Sequence, residues 1–383
     1  MSTATALDAA PKLPGPALLS RHERLQRAAA QSERVISFAG GLPNPELFPR
    51  TALTRALRHA LADPACPALQ YGWPEGSQLL RKFVASSLAQ RGALVEPDQV
   101  LITSGAQQAL GIALAVAVRP NDALGLEAET YPGALDAVRV AQVEAVSLEA
   151  AARAYYVMPS VSNPRGLPLD AGVRHALLRR AQKRKAILIE DDAYADTAFV
   201  DAPARPLLAD LPERTFHVGT FSKTLAPGLR VGWLVAPKPF MHDVLTVKQT
   251  QDLQANTLAQ TALEGYLSGE SYARQLRKLR LTYRRRARRL ARAIAAYLPT
   301  FRFRAPVGGF SIWLESGRRV DDEAFFELAL KHGVTFDAGH AFRWHPQTTD
   351  LAFRLCYSTV REEQIEVGVK RLADAWAEMN SRS

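Results

Sequence analysis

Residues 186–190, AILIE, read as a continuous strand, apolar up to Glu190, that ends against Asp191, Asp192, Ala193 and Tyr194. A strand without polar alternation is covered on both faces, as in a parallel sheet held between two layers of helix. The same punctuation recurs along the chain. Residues 100–103 read as a strand that runs into Ser104, Gly105, Ala106 and Gln107 and then a helix. Residues 123–127 end near Tyr131, 155–158 lead into SVSNPRG with Asn163 at the turn, and 215–219 deliver the chain to Lys223. Strands alternating with helices predict an α/β fold whose ligand lies beyond the carboxyl edge of a largely parallel sheet. Ser104, Tyr131, Asn163, Asp191 and Lys223 occupy equivalent places in that scheme, although each also has a local reading as a cap, a turn or a packed ring.

Two of these junctions suggest chemistry. The strand–SGA–helix step at 100–107 offers free backbone N–H groups and the positive end of a helix dipole, a seat for phosphate. It is not a GxxxxGK loop, so ATP is not implied. The second is VGTFSKTLAPGLRVGW, residues 218–233. Burial lowers a lysine's pKa and leaves an amine able to form a Schiff base. Thr220, Ser222 and Arg230 stand close enough in sequence to hold a phosphate beside Lys223. Taken alone, the segment leaves a solvated surface lysine open.

At 383 residues the chain is long for one core. The composition divides it into 1–50 (an arm and part of a small domain), 51–285 (a large domain) and 286–383 (a smaller α+β domain). Residues 1–34 read as a flexible arm leading into a polar helix, without the basic start and apolar stretch of a secretory signal. The apolar run 109–118 is about half the length of a membrane span, which predicts a buried helix. Cys66 and Cys356 fit no metal or disulfide spacing, and a reducing, cytoplasmic setting is expected. Net charge is +10, with 48 Lys+Arg against 38 Asp+Glu. The basic stretch 274–292 carries Leu276, Leu279, Tyr283 and Leu290 at helical spacing, so its arginines read as a solvated face and not as a nucleic-acid site. Gly40 and Gly41 permit close backbone approach, Tyr71 lies in an aromatic loop, and Arg354 sits inside the apolar strand LAFRLCYS. That arginine needs an anion, either a substrate carboxylate or an internal acid.

The ordered set SGAQQAL, YPG, SNPRG, EDDAY, TFSKTLAPGLRVGW and FRLCYS resembles the fold-type I, pyridoxal-phosphate-dependent aminotransferases of class I/II. It is similar above all to the branch with 2-aminoadipate and kynurenine aminotransferases and the aminotransferase-like domains of MocR regulators. The resemblance implies a mostly parallel seven-stranded sheet and a homodimer with shared sites. It makes Lys223 the lysine of the internal aldimine and Asp191 the partner of the pyridine nitrogen. Asn163 and Tyr194 would bond the phenolic oxygen, and Tyr131 would stack on the ring above Ala193. Gly105, Ala106, Gln107, Thr220, Ser222 and Arg230 would hold the phosphate, with Tyr71 reaching the neighbouring subunit's. Arg354, beside Asn163 and Gly41, would clamp the substrate carboxylate. The implied reaction is ping-pong transfer of an amino group from an L-α-amino acid to a 2-oxo acid, with 2-oxoglutarate the expected acceptor. No metal, membrane or nucleic acid is expected to take part. β-Elimination, decarboxylation or oxidation through the same cofactor, or a regulatory role, are the alternatives. For a MocR-like regulator, the roughly 35 residues before Gly40 are too few for a DNA-reading domain. Three departures stand out: a short segment between Tyr131 and Asn163, Ala106 where relatives carry a hydroxyl, and Arg165 in the variable slot of the Asn-Pro-x-Gly turn.

Overall fold

The computed structural model describes residues 34–381 apart from 63, 65, 201–203, 270 and 346–349. The arm expected over 1–33 lies outside the described residues. A short parallel pair, β1 (Ile36–Ser37) with β11 (Val334–Thr335), ties the start of the described chain to its last third.

The apolar runs become the middle of a seven-stranded sheet. Its strands are β2 (Val100–Thr103), β3 (Ala123–Leu126), β4 (Glu144–Ser147), β5 (Ala154–Val157), β6 (Ile187–Asp191), β7 (Thr215–Thr220) and β8 (Gly232–Val235). They lie in the order β2-β8-β7-β6-β5-β3-β4. Four of the six pairings are parallel, and the two antiparallel ones flank β8. Every residue of β2, β5, β6 and β7 is buried, as doubly covered strands require. The helix Ala106–Ala117 fills the expected place of the 109–118 run, with Leu110, Ile112, Ala113 and Leu114 in the core.

The short 131–163 segment still holds a helix, Pro132–Val140, and the edge strand β4, so the sheet edge is complete. The sequence hid β4 because an edge strand reading EAVS is half-exposed and has no apolar run.

The second sheet has the order β12-β13-β10-β9. Its strands are β9 (Arg302–Phe303), β10 (Ser311–Glu315), β12 (Asp337–Ala338) and β13 (Ala352–Cys356). Phe301, Phe325, Phe336, Phe353 and Trp376 pack ring against ring behind it. The helix Ser271–Tyr297 packs against β10 and against the turn Ala195–Thr197 that follows β6, and the expected division at 285/286 falls within it. Its Leu279, Tyr283 and Leu290 are buried, while Arg284, Arg285, Arg288 and Arg292 face solvent. Among the described residues no helix is long and apolar enough to cross a membrane.

Candidate active site

The carboxyl ends of β2, β5, β6 and β7 bring the strand-end residues to one side of the large sheet. Asp191 is the last residue of β6, not the first beyond it. It is buried, and the Tyr156 hydroxyl donates to its Oδ2 at 2.8 Å while the Ala193 N–H donates to Oδ1 at 3.1 Å. Burial raises its pKa, and these two hydrogen bonds oppose the rise. Asp192 faces the other way, to Arg91 Nη2 at 2.6 Å and His217 Nε2 at 3.4 Å. Adjacent acids thus take different work because neighbouring side chains on an extended chain point to opposite faces.

Lys223 sits past the end of β7 and is half-buried. Among the described residues it has no hydrogen bond or ion pair; its Nζ lies 5.2 Å from the centre of the Tyr194 ring and 5.9 Å from that of Phe310. Burial, then repulsion from Arg354, lowers its pKa to about 8, with Asp191 pulling the other way. At that value roughly a tenth of the amines are neutral at pH 7. Tyr194 and Tyr131 border the same space. Burial holds both phenols protonated, with Tyr131 pushed up to about 12.

The candidate phosphate seat assembles from three segments. Gly105 caps the Ala106–Ala117 helix at φ +95° with no side-chain cap bond, which leaves the first N–H groups open. A Cβ at Gly105 would stand 2.7 Å from Arg230 Nη2, so only glycine lets the guanidinium come this close. Arg230 takes a left-handed backbone and donates to the Ser104 and Pro227 carbonyls. Among the described residues no carboxylate pairs with it. Thr220 and Ser222 bond each other at 2.9 Å within the same turn. The Gln107 amide donates to the Gly133 carbonyl, joining the helix start to the Tyr131 loop. Ser104 turns its hydroxyl away, to Asp252.

Arg354 reaches the site from β13. Nε and Nη2 both donate to Asp337 Oδ2, at 3.0 and 2.7 Å, and Nη1 donates to Asn163 Oδ1 at 2.7 Å. Desolvation works against its charge, yet Asp337, with Cys356 and Tyr194 behind it, more than offsets this and keeps the group firmly cationic. Phe342 lies under the guanidinium at 4.7 Å. Gly41, at φ +57°, lets the backbone approach Arg354, where a Cβ would stand 3.0 Å from Nη2. Gly40 donates its N–H to Asp337. An internal acid therefore braces one edge of the guanidinium, while Nη1 meets the neutral amide of Asn163.

Lys223, Asp191, Tyr194, Tyr131, Asn163 and Arg354 converge. Tyr71 does not: it is 77% exposed, and its backbone N–H donates to the neighbouring Gln70 side chain. Tyr156 and Asp337 were missed from the sequence. Asp337 had a signal, an acid between the buried Phe336 and Ala338. Tyr156 had none, since Tyr155 beside it reads the same.

A half-buried amine with no partner, a buried acid and an arginine without an acid at an open helix start suit a phosphorylated aromatic aldehyde with a basic ring nitrogen. Comparison with known proteins decides the family. Residues 44–372 match the family of class I and II aminotransferases. The chain belongs to that family. Pyridoxal 5′-phosphate is its cofactor and amino-group transfer its reaction. It is 31% identical over 369 residues to aromatic-amino-acid aminotransferase 1 of Thermococcus litoralis, covering 90% of this chain and 88% of the relative. It is 33% identical over 368 residues to 2-aminoadipate transaminase of Thermus thermophilus, covering 90% and 91%. The solved kynurenine aminotransferase of Pyrococcus horikoshii superimposes with a TM-score of 0.88 at 29% identity, covering 94% of each chain. Helix-turn-helix transcriptional regulators also match.

Proposed function

We propose that this aminotransferase moves the amino group of an L-α-amino acid to a 2-oxo acid, with 2-oxoglutarate as acceptor, at the cleft between the two sheets. The observation that carries the assignment of roles is Lys223, an amine with its pKa lowered to about 8 and no partner among the described residues, facing Asp191 and Arg354. Lys223 would hold the cofactor's aldehyde carbon and Asp191 its ring nitrogen. Gly105, Ala106, Gln107, Thr220, Ser222 and Arg230 would hold the phosphate, and Tyr194 and Asn163 the phenolic oxygen. When bound, the cofactor supplies an electron sink for the pair left behind when the Cα–H bond breaks.

The residues divide the remaining work. Arg354 takes the donor's α-carboxylate on the side it now offers to Asn163, already oriented by Asp337, so little ordering is left to do on binding. Gly41 leaves room for that approach. Lys223 Nζ, neutral in part near pH 8, takes the proton from the donor's Cα and redelivers it. Tyr131 and Phe310 wall off water from the reacting carbon. Held by the Tyr156 hydroxyl and the Ala193 N–H, the Asp191 carboxylate favours a protonated ring nitrogen over a neutral one.

Leu69, Tyr71 and Trp73, alternate residues of one stretch, are 78, 77 and 80% exposed. Exposed large apolar side chains so close in sequence suit a subunit interface, and they support a homodimer in which Tyr71 reaches the partner's phosphate seat. Free cysteines at 66 and 356 support a cytoplasmic location. The test is a half-reaction screen. Mixed one at a time with aromatic, aliphatic and acidic L-amino acids, the loaded protein should lose its visible absorbance with at least one class and release the matching 2-oxo acid. Release of ammonia or carbon dioxide instead would favour elimination or decarboxylation.

A further inference from the structure

In the turn at 163–166, Asn163 meets Arg354 and Gly166 makes the bend, which leaves Arg165 outside the chemistry. Its guanidinium is nonetheless committed. Nε and Nη2 donate to Glu129 Oε2 at 3.1 and 2.6 Å, and Nη2 also donates to Glu315 Oε1 at 3.0 Å. Glu129 follows β3, the strand beside the edge strand β4 in the large sheet, whereas Glu315 ends β10 in the four-stranded sheet. Glu129 additionally pairs with Arg343 at 3.5 Å, and the two residues form an isolated β-bridge. A four-residue ionic chain therefore spans the two sheets.

That chain leads straight to the carboxylate site. Glu315 Oε1 accepts from Trp313 Nε1 at 3.1 Å, and Trp313 is the register partner of Arg354 across β10 and β13. The Phe342 ring meets Trp313 edge-on at 5.6 Å and lies beneath the Arg354 guanidinium. The Ser311 hydroxyl donates to the Pro164 carbonyl at 3.0 Å, fastening the same strand to the same turn.

We infer that Arg165 is a positioning residue, the second of two prongs by which this turn grips the β10–β13 pair and sets the height of Arg354 over the cleft. The first prong, Asn163 to Arg354, is the contact a substrate carboxylate displaces. The second, Arg165 to Glu315, is untouched by substrate and keeps the strand pair in place while the first opens. The inference rests on Arg354 being the carboxylate clamp. Side-chain exposures of 37, 11 and 28% for Arg165, Glu129 and Glu315 make the bridge partly screened, so its effect is moderate and weakens with salt.

The test uses the loaded enzyme with R165M, R165K, E315Q and the R165M/E315Q pair. R165M should raise KM for the donor by about three- to tenfold and leave kcat within about twofold, because the clamp is displaced and the reacting atoms are not. Calorimetry should give the same factor in Kd for 3-phenylpropanoate, a carboxylate that lacks the amine. R165K, which keeps the charge and loses the fork, should fall between. The double variant should be no worse than R165M alone, since R165M already removes the Arg165–Glu315 bridge that E315Q weakens. Wild-type KM should climb more steeply with salt than that of R165M. An R165M protein with unchanged melting temperature, KM and Kd would overturn the inference, and so would multiplicative losses in the double variant. If R165M melts early, E315Q and R165K decide alone. Wild-type protein that binds 3-phenylpropanoate yet transfers no amino group would contradict the functional reading and leave the bridge intact.

Discussion

The two ends of the cleft are built on different principles. At the ring end, on the edge of the seven-stranded sheet, groups are left with unused capacity: Lys223 has no partner and Arg230 no acid among the described residues. At the carboxylate end, on the four-stranded sheet, Arg354 is already braced by Asp337 and Asn163. A resident cofactor explains the first arrangement, because partners supplied by a tightly held ligand need not be supplied by the chain. A substrate that comes and goes explains the second, because a bare buried guanidinium would be costly between turnovers.

This contrast predicts different responses to mutation. The largest effect is expected at the ring end. Asp191→Ala should cut kcat by about a thousandfold or more with modest change in donor KM, since it removes an interaction that matters as charge develops at Cα. Steady-state kinetics with excess cofactor check this. At the carboxylate end, Asp337→Asn should act in the opposite sense. It removes the counter-charge of a buried arginine, so the protein should lose roughly 3 kcal/mol of stability and donor KM should rise. Chemical denaturation and kinetics read the two losses together. If Asp337→Asn instead left stability intact and lowered kcat alone, the two ends would not differ as described.

Smaller effects sharpen the comparison. Tyr156→Phe deletes one hydrogen bond to the Asp191 carboxylate, worth about tenfold in whatever Asp191 contributes. The expected signature is a shift in the pH dependence of the loaded protein's absorbance, with Arg354-dependent KM unchanged. The smallest effect concerns protein stripped of its cofactor. The pKa of Lys223 in the fold, about 8, lies below the 10.5 of an unperturbed lysine. Between those values the unfolded chain binds the proton and the fold does not, so this group's contribution to stability rises with pH across that window and is unfavourable below it. Lys223→Met should therefore raise the melting temperature of cofactor-free protein at pH 7 and lose that advantage toward pH 10. Scanning calorimetry at the two pH values measures the difference.

The ring end was largely legible in the sequence and the carboxylate end less so. Asp191, Lys223 and Asn163 each stand at or just past the end of a strand rich in apolar residues, so strand ends could be found from composition and their polar residues read off. Arg354 was visible for the same reason, as a charge inside an apolar strand. Its brace was not, because Asp337 belongs to a two-residue strand that pairs with β13 only in the fold. The choice between Asp191 and Asp192, and the place of Tyr156, depend on which face a side chain takes, and adjacent like residues hide that. The β4 edge escaped because an exposed strand carries no apolar run. Arg165 shows the remaining gap: a long cation in a turn slot has no meaning until Glu129 and Glu315 arrive from two different sheets.

Every role assigned above depends on the amine at position 223. Borohydride reduction of the loaded protein, followed by digestion and mass spectrometry, locates the lysine that carries the cofactor. The account predicts a single labelled peptide, the one containing Lys223, and no label in Lys223→Met. Label on another lysine, or none on a protein that still transfers amino groups, would contradict it.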